Sequence, residues 1–132
     1  MISIKIVETD QERIQITDIA DSMLGHFYVF EEEILDRAIV AMWGDVIIGF
    51  ALTDFYEVYD PDCESVGIID TVAVRSDYQG YGIATLLVST ATMRLSLEGA
   101  ALIECYAWMD TNGIHLRKPL ERNDFIEVER FP

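Results

Sequence analysis

A single α/β domain, with one mixed and mostly antiparallel sheet flanked by helices, is the fold class that three features of the sequence predict. Apolar β-branched runs alternate with helical periods in the order β-α-α-β-β-β-α-β-α-β. Two of the runs meet at Gly44-Asp45, a hairpin signal. A third run, Val66 to Val74, leads through a glycine-containing turn directly into a helix, the layout of a right-handed crossover to a parallel neighbour. With 132 residues, 51% hydrophobic and 11% aromatic, the chain has material for one core but little length for two. Residues 1–132 are therefore expected to form one domain.

Each element has its own warrant. Ile2 to Val7 alternates and is β-branched, a first strand. Thr9 with Glu12 three residues later is a capping-box signature, and Ile14, Ile19, Met23 and Leu24 recur at helical spacing until Gly25. His26 to Arg37 mixes aromatics with the acidic run Glu31-Glu32-Glu33 and reads as a turn and a short second helix. Ala38 to Trp43 and Val46 to Tyr56 are the hairpin strands, followed by a polar loop, Glu57 to Glu64.

Val66 to Val74 is apolar almost throughout, as in a strand buried on both faces. Gly82 to Leu97 is a helix whose apolar stripe is Leu86, Leu87, Ala91, Met93, Leu95 and Leu97, and Gly99 stops it. Leu102 to Trp108 is the next strand, parallel to Val66 to Val74 if the helix between them is a crossover. Asn112 to Asn123 has a helical pattern but holds Pro119, which kinks the helix or marks the first turn of a new one. Phe125 to Phe131 is a short closing strand.

Composition excludes several function classes. No apolar run approaches the roughly 18 residues of a membrane span, and Met-Ile-Ser-Ile-Lys-Ile lacks the basic region of a signal peptide. A cytoplasmic protein without a membrane partner is expected. Cys63 and Cys105 have no metal-ligand or CxxC spacing, so neither a metal site nor a disulfide framework is predicted, and Cys105 is expected in the core. The net charge of -15, with Lys5 and Lys118 the only lysines, removes the basic footprint that nucleic acid requires. Three readings of that acidity stay open: a solvated surface, adaptation to high salt, or steering of a cationic acceptor.

The most informative segment runs from Thr71 to Val88: a β-branched strand, a polar turn with Gly80 and Gly82, and the start of a helix. Such a turn lets backbone approach an anion, and the first N–H groups of the helix point at it with the helix dipole behind them. A purely structural βα turn is the alternative. The P-loop ending Gly-Lys-Ser/Thr is missing, and a dinucleotide turn would need three glycines.

The stretch Gln79-Gly80-Tyr81-Gly82-Ile83-Ala84, between Thr71-Val72-Ala73-Val74 and Thr85-Leu86-Leu87, resembles the central motif of the GNAT superfamily of acyl-CoA-dependent N-acetyltransferases. That resemblance implies a GNAT-like fold in which the parallel central strands splay apart, with acetyl-CoA as acyl donor in the gap. It implies that the backbone of Val72, Ala73 and Val74 meets the pantetheine arm. It also implies that Gln79, Gly80, Tyr81, Gly82, Ile83, Ala84 and Thr85 hold the pyrophosphate. Asn112 corresponds approximately to an asparagine that relatives carry before the last helix, or is simply a helix N-cap. Arg75 either reaches a CoA phosphate or lies in solvent.

Transfer to an amine requires a neutral nucleophile and a proton for the departing thiolate. Asp70, alternating with Ile68, is the candidate base, or else an acid that bonds the neighbouring loop; Glu104 is second. The family's acid is a tyrosine in a pattern like Tyr-Glu-x-x-Gly-Phe, where this chain has Leu120-Glu121-Arg122-Asn123-Asp124-Phe125. Tyr106 or His115 could substitute, or the proton could come from solvent or the product ammonium. Relatives commonly add a further strand after the closing one, so direct pairing with the fifth strand or completion by a second copy in a homodimer is expected. The function expected is acetyl transfer from acetyl-CoA to a primary amine of a small molecule, a lysine or a protein N-terminus. The rival is a non-catalytic acyl-CoA-binding or acidic interaction protein.

Overall fold

The computed structural model describes residues 1–24, 30–57, 65–105 and 118–126. Strands β1 (Ile2–Ile6), β2 (Ile39–Trp43), β3 (Val46–Tyr56), β4 (Val66–Val74) and β5 (Leu102–Cys105) form one sheet in that spatial order. All neighbours are antiparallel except β4 and β5, which are parallel. The mixed sheet and the hairpin at Gly44-Asp45 match the sequence reading. Helices α1 (Asp10–Leu24) and α2 (Glu32–Leu35) cover one face, and α3 (Ile83–Glu98) covers the other.

α1 begins with the reciprocal bonds that its sequence predicts. The Glu12 N–H donates to Thr9 Oγ1 at 3.1 Å, and Glu12 Oε1 accepts from the N–H groups of Thr9 at 3.1 Å and Glu8 at 2.7 Å. Lys5 Nζ reaches Glu12 Oε2 at 2.6 Å, tying β1 to the helix start. The bond to Lys5, then the backbone N–H of Glu8, hold the nearly buried Glu12 carboxyl well down, at a pKa of about 2. The phase of the helix differs from the expectation: Ile16, Ile19 and Ala20 are buried, whereas Ile14 is exposed.

The α3 stripe also needs correction. Its buried residues are Ile83, Leu87, Val88, Ala91 and Leu95, while Leu86, Met93 and Leu97 face outward. The contact of α3 with the sheet is close because Gly67 lacks a side chain: a Cβ there would lie 2.9–3.1 Å from the Leu95 side chain. Gly99, at φ +103°, ends the helix; its N–H donates to Ser96 O and that of Ala100 to Leu95 O.

Two bulges interrupt the alternation of the sheet. Ala41 pairs with Gly49 and Met42 with Ile47, leaving Ile48 as the extra residue of β3. Leu52 pairs with Thr71 and Thr53 with Ile69, leaving Asp70 as the extra residue of β4. The core faces change parity accordingly: Ile69 shares the α3-side cluster with Val72 and Val74, while Ala73 joins the α1 side. β4 is therefore buried on both faces only from Thr71 onward, with Ile68 half-buried and Asp70 exposed. Cys105 is partly buried beside the α3-side core, not within it.

Residues 118–122 are helical, with the buried Pro119 in the first turn and Leu120 packed on the α3-side core. The turn closes when the N–H of Phe125 donates to Leu120 O at 3.0 Å and that of Asp124 to Glu121 O at 3.1 Å, with Asp124 at φ +65°. Asp124 thus holds the left-handed position at which the resembling pattern has glycine. Phe125 and Ile126 are not in a strand; the rest of the expected closing strand, 127–131, lies outside the described residues.

Two outcomes follow for stability. Glu12→Gln keeps an acceptor for the cap but removes the charge paired with Lys5, costing about 1–2 kcal/mol in denaturant titrations at pH 7. Because the Glu12 pKa is lowered from near 4.5 to about 2 on folding, this contribution is complete above pH 4.5. The difference between wild type and variant shrinks as pH falls from 4.5 towards 2. Asp124→Gly relieves left-handed strain and raises stability by about 1 kcal/mol, read as an increased Tm.

Candidate active site

The end of β4 is fixed to the sheet before the chain turns. The Arg75 N–H donates to Ile48 O and its Nε to Ile47 O, both at 2.8 Å, so Arg75 anchors the strand to β3. A 3-10 turn (Ser76–Tyr78) follows, and Gln79 Nε2 donates back to Val74 O at 3.0 Å. Gly80 and Gly82 then take φ +87° and +82°, a left-handed conformation that favours glycine. A Cβ at either would meet nothing within 4 Å, so the requirement is conformational.

Gly82 caps α3, and the Leu86 N–H donates to Gly82 O at 3.1 Å as the first helical bond. The N–H groups of Ile83, Ala84 and Thr85 have no carbonyl one turn back and carry the positive end of the helix dipole. They border a cleft of about 350 Å³ lined by Val72, Ala73, Val74, Gln79, Gly80, Gly82, Ile83, Ala84 and Thr85. The 118–122 turn adds Lys118, Pro119 and Arg122 to the lining, with Tyr78 and Met23 completing it. Asn123 joins the walls: its Nδ2 donates to Thr85 O at 3.3 Å and Pro119 O at 2.8 Å. β4 and β5 pair in parallel from Val66 with Leu102 to Ile69 with Cys105, and the strand residues that line the cleft follow on β4 from Val72.

Most residues predicted to meet a donor therefore come together, with exceptions. Tyr81 is 76% exposed and does not line the cleft, and the Gln79 side chain is engaged by the strand end, leaving its backbone on the turn. Tyr106, Asn112 and His115 lie outside the described residues, as does Cys63. The sequence does not assign Tyr78, Lys118, Pro119 or Arg122 to the cleft, although Lys118 and Arg122, four apart around a helix-starting proline, form a readable pair.

Asp70 lies just before the cleft on the bulge, where Thr71 Oγ1 donates to its Oδ2 at 3.1 Å. Its surroundings are acidic: hydrogen bonding to Asp54, then the charges of Asp54, Asp70 and Glu31, raise the Tyr56 pKa. Burial, with Asp70 adding to it, pushes the Cys105 thiol up to about 11, so it is not a thiolate nucleophile at neutral pH. Glu104 pairs in register with Ile68 on the parallel strand.

The model of the acetyltransferase (GNAT) family matches residues 6–116. The chain belongs to that family. As a GNAT protein it is an acyl-CoA-dependent acetyltransferase with acetyl-CoA as donor. Its fold is similar to that of a transcriptional regulator from Bacillus halodurans C-125, with TM-score 0.81, 22% identity, and coverage of 100% of this chain and 97% of the other. It is also similar to a chain of the NatC complex bound to Gag peptide and CoA, with TM-score 0.82, 22% identity, and coverage of 98% and 87%. An aminoglycoside acetyltransferase from an uncultured soil metagenomic sample, in complex with sisomicin, gives TM-score 0.77 at 17% identity, covering 99% and 94%. No curated protein sequence matches significantly.

The conformational demand at Gly82 generates a test. Gly82→Val forces a β-branched residue to φ +82° at the helix cap, and the turn must rearrange. The dissociation constant for acetyl-CoA, measured by calorimetry, is expected to rise at least about tenfold.

Proposed function

We propose that this GNAT acetyltransferase acylates a primary amine on a cationic acceptor by direct attack on acetyl-CoA bound along the cleft. The observation that carries this reading is the continuity from the end of β4 through the glycine turn to the N-terminus of α3, all on one wall. In this reading the backbone of Val72 to Val74 pairs with the pantetheine arm as a neighbouring strand would, and the N–H groups of Gln79 to Thr85 hold the pyrophosphate.

Asp70 is the proposed base. Held by Thr71, it is exposed to an entering amine immediately beside the strand segment that meets the donor. It takes a proton from the ammonium, freeing the nitrogen lone pair to attack the thioester carbonyl; the C–S bond then breaks and the CoA thiolate departs. Asp54, Glu31 and Asp70 all act on Tyr56, and a negative field beside Asp70 favours an ammonium acceptor over a neutral or acidic one. The amine-bearing compounds named with the similar folds, an aminoglycoside and a peptide, agree with this acceptor class.

Leu120, at the position of the family's tyrosine acid, packs on the core and offers no proton. The thiolate is therefore protonated by the newly acylated nitrogen, through water, or by Tyr106. Assays of thiol release across a panel of polyamines, aminoglycosides, lysine peptides and neutral amines test the reading. Turnover is expected with the cationic members; binding of acetyl-CoA without turnover of any amine would instead support a binding role. Asp70→Asn is expected to lower kcat by about 10²-fold or more with acetyl-CoA affinity retained, and an unchanged pH–rate profile would remove Asp70 as the base.

A further inference from the structure

The donor cleft holds a pair of cations that the anion-binding turn does not require. Lys118 and Arg122 stand four residues apart in the 118–122 turn, on one face of it, and both line the cleft that the start of α3 also lines. Most of the other described cations are engaged elsewhere. Lys5 is paired with Glu12, Arg13 with Asp10 and Asp36, and Arg37 and Arg94 with Glu98, while Arg75 bonds to Ile47 O. In a chain of net charge -15, two adjacent cations on the wall of a cleft stand out against the surface around them.

We infer that Lys118 and Arg122 form a second phosphate site, which recognises the ribose 3′-phosphate of CoA and makes the enzyme selective for CoA over dephospho-CoA. This inference rests on acetyl-CoA occupying the cleft as proposed above. The N–H groups at the start of α3 serve the pyrophosphate from one wall. The cations come from a separate segment of the lining, and the donor carries one further anionic group for them, a phosphomonoester that is close to a dianion at neutral pH. A guanidinium matches phosphate oxygens with two parallel N–H bonds, and an ammonium adds a compact charge. Asn123, bonded to both Thr85 O and Pro119 O, fixes the distance between the two anion-binding walls.

Calorimetric titration of CoA and of dephospho-CoA into wild type and the Lys118→Ala/Arg122→Ala double variant decides the matter. Wild type is expected to bind CoA about tenfold or more tightly than dephospho-CoA, and the double variant to bind the two equally. Lys118→Arg/Arg122→Lys should keep the discrimination. Salt provides a second readout on unaltered protein: the affinity for CoA should fall more steeply with ionic strength than that for dephospho-CoA. Equal binding of both ligands by wild type, or a double variant that weakens both by the same factor, overturns the 3′-phosphate assignment while leaving the donor site intact. No binding of either ligand by wild type overturns the donor site itself, and this inference with it.

Discussion

The site depends on how closely α3 lies against β4. Two parallel neighbouring strands need a crossover between them, and here that crossover is α3, whose Leu95 side chain occupies the space that a Cβ on Gly67 would take. Gly99 ends the helix and returns the chain to β5, and Arg75 with Gln79 fixes its other end to the last turn of β4. With both ends set, the unpaired N–H groups of α3 border the cleft beside the end of β4. The helix N-terminus at the cleft is thus placed by sheet packing as much as by the glycine turn.

Electrostatics divides the same strand into two regions. Beyond Thr71 the positive potential comes from backbone, supplemented by Lys118 and Arg122, so a polyanionic donor can bind a strongly acidic protein. Before Thr71 the carboxylates of Asp70, Asp54 and Glu31 act together on Tyr56. The bulge at Asp70 marks the boundary between the two. Negative and positive potential thereby adjoin along one strand.

Much of this was legible in the sequence, because the signals are local. Thr9 with Glu12, Gly44-Asp45, and the two glycines between β4 and α3 each specify a backbone conformation within a few residues. What could not be read depends on partners. Ile48 and Asp70 are extra residues opposite a facing strand, and each inverts the alternation after it, so sequence parity assigns the wrong face to the residues beyond. The apolar residues of α3 are spread around the helix, so its period could not distinguish the buried Val88 from the exposed Leu86 and Met93. Lys118 and Arg122 share a cleft with the glycine turn in a fold where Leu120 packs on the core and Asn123 bonds to Thr85 O, contacts that sequence does not reveal.

That Asn123 amide also bears on motion. Its Nδ2 holds a carbonyl on each wall of the cleft, and Thr85, one of the two, is already fixed within α3. Spreading the walls would break at least one of these bonds, whereas closing them further would drive Pro119 towards the helix. The cleft therefore resembles a braced frame more than a pair of jaws. Ligand exchange through such an aperture is expected to leave the spacing between Thr85 and Pro119 unchanged.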